Sequence, residues 1–205
     1  MFAEKMDKRS MAYNPPGICR IIGVAGSRRG VGATHFCILT ANYLSGFLRK
    51  KTAVLEWNRH GDFERIERIC TGKNKKETKF SVLDTDYYKC AGQNELITCM
   101  ESGYHYIVID FGRLTEENQG EFLRCEKRVL IGSFSEWQEE EFLLSLRNRK
   151  KAERGWIYAA AFGSAETRRE VKRKLRIPVF SIPFIADAFT VTPIVLKFFR
   201  EFFES

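Results

Sequence analysis

The chain has 205 residues, a net charge of +8 and 44% hydrophobic residues, enough for a globular fold with a sizeable core. Its six cysteines include no C-x-x-C pair and none has a histidine at ligand spacing, which argues against a zinc site or a disulfide framework and for free thiols in a cytoplasmic protein. There is no signal-peptide core, and no run approaches the roughly 18 apolar residues of a membrane span; the positive charge allows an anionic partner (DNA, RNA, nucleotide or an acidic membrane surface) without requiring one.

Residues Met1–Gly17 are polar and end in Asn14-Pro15-Pro16-Gly17, a loose leader. From residue 18 to 205 the chain reads as a single domain with no internal repeat. Ile18, Ile21, Ile22 and Val24 form a β-branched run that predicts a buried strand. A turn with Gly26, Gly30 and Gly32 follows, and His35–Lys50 reads as a helix with Phe36, Leu39, Tyr43, Leu44 and Phe47 on one face. Thr52–Trp57 predicts a second strand, Asp62–Cys70 a helix, Lys73–Lys79 a solvated loop, Phe80–Leu83 a short strand and Gln93–Ser102 a helix. In Tyr104–Gly112, YHYIVIDFG, apolar residues run unbroken into Asp110, as in a strand covered on both faces. Leu114–Cys125, Ser135–Lys151, Ala165–Arg176 and Thr192–Phe203 read as helices, with strands at Arg128–Gly132, Gly155–Phe162 and Pro178–Ile182. This alternation predicts an α/β fold, a doubly wound, mainly parallel sheet flanked by helices.

Strand, glycine loop and helix together make a phosphate cradle, because backbone N–H groups converge on the anion and the helix N-terminus adds a positive dipole end. The general phosphate-loop pattern is G-x-x-x-x-G-K-[ST]. In Ser27-Arg28-Arg29-Gly30-Val31-Gly32-Ala33-Thr34 the second glycine and the hydroxyl fit, but Ser27 replaces the first glycine and Ala33 stands where the lysine belongs. Taken alone, the window reads equally well as an ordinary glycine-rich turn. Asp110, at the C-terminal end of a buried strand, lies where open α/β sheets bind ligands.

With these two features in order, the layout resembles the MinD/ParA family of P-loop ATPases, whose deviant loop reads K-G-G-x-G-K-[ST]. Arg28–Thr34 occupies that window, Glu56-Trp57-Asn58-Arg59-His60-Gly61 that of the family's D-x-D-P-x-G segment, and YHYIVIDFG that of its Walker B strand. RVLIGSFSEWQ and IPVFSIPF resemble the later strands, so the likeness runs over about residues 18–203. Among relatives the chain looks most like the TadZ/CpaE branch, pilus-assembly localisation proteins whose phosphate loops are often atypical.

The resemblance implies a site for ATP or ADP with magnesium built from Ser27, Arg28, Arg29, Gly30, Val31, Gly32, Ala33, Thr34, Glu56, Asn58 and Asp110, with Thr34 and Asp110 on the metal side. Several of these positions have lost the atom that acts in the family. Ala33 cannot replace a lysine point charge, which at about 4 Å from a phosphate is worth roughly 4 kcal/mol at an effective dielectric of 20. Arg28 stands at the family's signature lysine and Arg29 replaces a glycine; one of these two arginines either partly compensates for Ala33 or by its bulk obstructs the loop. Asn58 replaces a carboxylate. The expectation is therefore a degenerate nucleotide-binding or pseudo-ATPase domain that works as a homodimer and a localisation or scaffold protein, for protein partners in a pilus or secretion assembly. A slow magnesium-dependent ATPase and a DNA-associated partitioning module are the alternatives. The helix with Arg168, Arg169, Lys172, Arg173, Lys174 and Arg176 reads as a solvated face more readily than as a nucleic-acid surface. The C-terminal phenylalanines read as docked on the sheet more readily than as a peripheral anchor at the inner face of the membrane.

Overall fold

Ile21–Val24 and Ile107–Phe111 are apolar on both sides of the strand, and such runs are stable only between two covered faces. In the computed structural model they lie side by side in the middle of an eight-stranded sheet. The structure describes residues 19–72, 76–135, 138–147, 155–175 and 178–204; the expected leader, the middle of the lysine-rich loop and the end of the helix expected over Ser135–Lys151 lie outside them. The strands are β1 (Arg20–Gly26), β2 (Thr52–Glu56), β3 (Lys79–Val82), β4 (Thr85–Tyr88), β5 (Tyr106–Arg113), β6 (Lys127–Ser133), β7 (Trp156–Ala161) and β8 (Val179–Ser181). Their order is β3-β4-β2-β5-β1-β6-β7-β8, parallel throughout except for β3 against β4. The doubly wound, mainly parallel α/β sheet expected from the alternation is the observed fold.

The helices are α1 (Ala33–Asn42), α2 (Asp62–Thr71), α3 (Gln93–Glu101), α4 (Glu116–Arg124), α5 (Glu139–Arg147), α6 (Ala165–Leu175) and α7 (Pro193–Glu204). One layer of core joins α1 and α7 to Ile22, Val24, Val108, Val129 and Ile131, and the other joins α3, α4 and α5 to Ala25, Leu55, Ile109 and Leu130. Alternate residues of one strand serve opposite layers, which is why β1 and β5 carry no exposed polar stripe. Two glycines set how closely the helices approach. A Cβ on Gly132 would lie 2.0 Å from the Phe142 ring of α5, and one on Gly23 2.7 Å from Cys125 Sγ, just beyond α4.

The chain departs from expectation in four places. The helix expected over His35–Lys50 is α1 followed by a π turn at Tyr43–Phe47, where Leu48 N–H reaches back to Tyr43 O at 3.0 Å. Tyr43 thereby stacks on Phe199 of α7 at 4.9 Å between centroids. The single strand expected at Phe80–Leu83 is a hairpin, because Thr85–Tyr88 is a strand as well. Its polar residues are engaged: Tyr104 Oη donates to Asp86, which also pairs with Lys79 at 2.9 Å. Third, β5 does not stop at the Asp110 turn but continues through Gly112 to Arg113, with an irregular register against β1 at Gly26. Finally, α5 begins at Glu139 rather than Ser135.

The phenylalanines of α7 dock as expected. Phe199 and Phe202 are fully buried and meet Phe36 of α1 at 5.8 and 5.6 Å between centroids. Among the described residues no helix is long and apolar enough to cross a membrane. All six cysteines are free.

Candidate functional site

The turn after β1 is shaped by three glycines. A Cβ on Gly26 would lie 2.6 Å from Val31 Cγ2 and 2.7 Å from Arg28 O, so the loop closes directly over that Cα. Gly30 and Gly32 have φ of +82° and +94°, in the left-handed region that a side chain strains, and the space where their Cβ atoms would stand is open. Ser27 N–H is bound to Ile131 O of β6 at 2.8 Å, and Phe36 N–H to Gly32 O at 2.9 Å, which starts α1 at the end of the loop. Val31 points into the core, Arg29 is exposed and Arg28 is half-buried. Ala33, where a lysine would reach back over the loop, is 8% exposed and belongs to the core beneath α1.

Thr34, in the first turn of α1, donates its hydroxyl to Asp110 Oδ2 at 2.6 Å. The other Asp110 oxygen accepts the N–H of Gly112 at 2.9 Å. The Asp110 carboxyl is fully buried, and burial is the main cause that pushes its pKa up to about 6. The two hydrogen bonds oppose that rise, and the neighbouring carboxylates Glu56 and Asp62 add to it. The loop, the Thr34 hydroxyl and the Asp110 carboxyl are thus brought together at one point of the carboxyl edge of the sheet.

Glu56 and Asn58 come to the same edge but are engaged differently. Glu56 is opposite Asp110 in the β2–β5 register and is fully buried. One of its oxygens accepts the N–H groups of Asp62 and Phe63 at 2.7 and 3.2 Å, which caps α2, and the other accepts Cys90 N–H at 3.3 Å. Its carboxylate therefore organises backbone and does not stand open to the loop. Asn58 donates its amide to Asp110 O at 3.0 Å and accepts His60 N–H at 3.0 Å. This turn lies on Gly112, where a Cβ would be 2.9 Å from His60 Cε1 and 3.2 Å from Asn58 Cβ. His60 is placed by this packing.

Further along the same edge, Phe162 follows β7 with φ of +61° and is 54% exposed; Phe184, just after β8, is 85% exposed. Neither was singled out from the sequence; the only signal was an aromatic where the chain leaves a strand. The loop after β8 folds back onto α1, since Asn42 of α1 donates its amide to Ala188 O at 3.3 Å and Ile185 packs against the same core layer. Burial of His35 lowers its pKa, against the opposing influence of the Ile185 backbone and Asp187.

The residues present fit a phosphate group. The space above Gly30 and Gly32 is open, and the half-buried Thr34 with the buried Asp110 offers the hard oxygen donors that a magnesium ion prefers. Among the described residues no group of three or more His, Cys, Asp or Glu side chains that could hold a metal ion occurs.

No protein-family model matches the chain, and neither does any protein of curated function. Solved structures do. A ParA family ATPase from Chlorobium tepidum TLS superposes with a TM-score of 0.60 and 15% identity, over 83% of this chain and 87% of that one. A plasmid partition protein from Borrelia burgdorferi B31 bound to AMPPNP gives 0.63 and 15%, over 90% and 96%. MinD–MinC of Aquifex aeolicus gives 0.57 and 12%, over 82% of each. At these identities the likeness establishes the fold, that of MinD/ParA P-loop ATPases.

Proposed function

We propose that this chain is a degenerate MinD/ParA-like domain that holds ATP or ADP with magnesium as a structural ligand and turns it over slowly or not at all. Its work is then to position partner proteins as a cytoplasmic homodimer, in an assembly such as a pilus or secretion apparatus; the family's atypical pilus-localisation branch is the likeness that supports this last step. One observation carries the reading. The Thr34–Asp110 pair and the open glycine loop keep the geometry of a phosphate site, while Ala33 leaves that site without a lysine charge. The loop N–H groups and Thr34 would hold the phosphates and the metal, and bound magnesium would supply the positive charge that the buried Asp110 lacks. Phosphoryl transfer depends on positioning together with charge stabilisation, and here the lysine and the carboxylate that Asn58 replaces are both missing. The buried face of α7 argues against that helix as a membrane anchor, so any recruitment to the membrane runs through partners.

The test is calorimetric titration with ATP and ADP, with and without magnesium, beside a phosphate-release assay. Micromolar, magnesium-sensitive binding with negligible release is the expected result. Magnesium-dependent release that collapses in Asp110→Ala would replace the reading with a slow ATPase. Absence of binding at millimolar nucleotide would refute it.

A further inference from the structure

We infer that the slot between α3 and α4 is a docking site for a basic amphipathic helix of a protein partner, whose large apolar side chains enter it as anchors. The inference does not depend on the phosphate site and goes beyond the reading above.

Gln93, Leu96, Ile97 and Met100 recur at helical spacing and form one wall of the slot. The core uses only part of that stripe. Leu96 packs on the layer that holds Cys99, whereas Ile97 is 54% and Met100 50% exposed. Glu121 and Arg124 of α4 form the opposite wall, and Ile21 of β1 and Ile109 of β5 lie beneath. The slot has a volume of about 430 Å³, within the range of natural binding pockets.

Apolar walls alone do not name an occupant, but charge does. α3 and α4 carry Glu95, Glu101, Glu116, Glu117 and Glu121 against one cation, Arg124, in a chain of net charge +8. Three of these acids have a local explanation. Glu95 accepts the Gly92 N–H at 2.8 Å, and Glu116 and Glu117 lie in the first turn of α4, where the helix dipole favours them. Glu101 has no such explanation. It is exposed at the carbonyl end of α3, where the dipole disfavours a carboxylate. Glu121 stands at the slot itself. Its Oε1 accepts from Gln93 across the slot at 3.3 Å and from Arg124 at 2.5 Å. Both bonds use one oxygen, which leaves Oε2 to an incoming cation.

An acidic rim around an apolar slot fits a helix with apolar residues at i, i+3, i+4 and i+7 and lysine or arginine beside them. A second copy of this chain would bring the same carboxylates face to face, which their charges oppose. Methionine suits such a site, because its unbranched side chain adapts to anchors of different shape.

The experiment titrates the full chain, without nucleotide, into labelled synthetic peptides of about four helical turns and reads fluorescence anisotropy. One peptide has leucine at i, i+3, i+4 and i+7 and lysine elsewhere. A second has glutamate for lysine, and a third is the first with its order scrambled. The leucine–lysine helix should bind at least about tenfold more tightly than either of the others. The sign is decisive, because a chain of net charge +8 would by bulk charge favour the glutamate peptide. Ile97→Gln and Met100→Gln, both at half-exposed positions, should each weaken the leucine–lysine helix by about tenfold with unchanged melting temperatures. Glu101→Lys combined with Glu121→Gln should bring the lysine and glutamate peptides within about threefold of each other. Tighter binding of the glutamate or scrambled peptide, no binding of the leucine–lysine helix, or unaltered binding in both glutamine variants would overturn the docking site. So would a dimer in sedimentation that Met100→Gln dissociates, since the slot would then belong to a second copy.

Discussion

Asp110→Asn should stabilise the ligand-free protein at neutral and alkaline pH and do nothing of the kind in acid. The folded state holds the Asp110 carboxyl with its pKa pushed up to about 6, against an ordinary 3.8. Ionisation is therefore harder in the folded chain than in the unfolded one. The corresponding stability is fully present below about pH 4 and is lost as pH rises through about 6. A shift of about two units corresponds to roughly 3 kcal/mol at pH 8, as an upper figure. Asparagine has the same shape: its Oδ1 can accept the Gly112 N–H, and its amide can donate to Thr34 Oγ1, which now accepts. The assay is urea unfolding of both proteins from pH 4.5 to 8, in EDTA so that no cation neutralises the carboxylate. The variant should gain with pH, reaching about 1.5–3 kcal/mol at pH 8, or about 4–10 °C in melting temperature for a chain of this size. A difference that does not vary with pH, or a variant less stable at pH 8, would refute the reasoning.

Ala33→Lys restores the point charge over the loop; magnesium–ATP affinity should rise at least tenfold, and the pH-dependent gain of Asp110→Asn should shrink in that background, both read by titration and unfolding. An unchanged ATP affinity would mean that the loop does not hold phosphate. Gly132→Ala places a methyl where the Phe142 ring lies and should cost about 1–3 kcal/mol in urea unfolding, with no cost in a Phe142→Ala background as the sign that the clash is the cause. Phe199→Ala removes a fully buried ring between Phe36 and Tyr43 and should cost about 3–5 kcal/mol; a neutral result together with binding to anionic vesicles would restore α7 as a membrane helix.

The sheet was legible because its central strands are buried on both faces, and continuous apolar runs such as YIVIDF show this without any knowledge of neighbours. The turn after β1 was legible because left-handed turns need glycine. What escaped the sequence were features decided by partners far along the chain. β4 carries Thr85, Asp86 and two tyrosines, and reads as polar until Asp86 finds Lys79 and Tyr104. Lys89 and Glu67 lie in no apolar pattern, yet they form a buried ion pair at 2.7 Å that holds α2 to the turn after β4. The π turn is set by the rings of α7, 150 or so residues later, and helical spacing alone continues straight through it. Glu56 kept the charge expected of its position, but its length lets both oxygens reach backbone amides around it, and only geometry shows that.

The place of β1 governs the order in which the molecule can be assembled. Its neighbours on either side are β5 and β6, with Arg20 opposite Tyr106 and Ile22 opposite Lys127. On a ribosome β1 thus waits for about 80 further residues, until β5 is made, before it has either neighbour to pair with, and closing such long loops slows folding. Until then a β-branched segment and the helix after it stand exposed as an adhesive surface. Fragments ending before about residue 130 lack one of these neighbours and should be retained by chaperones or aggregate.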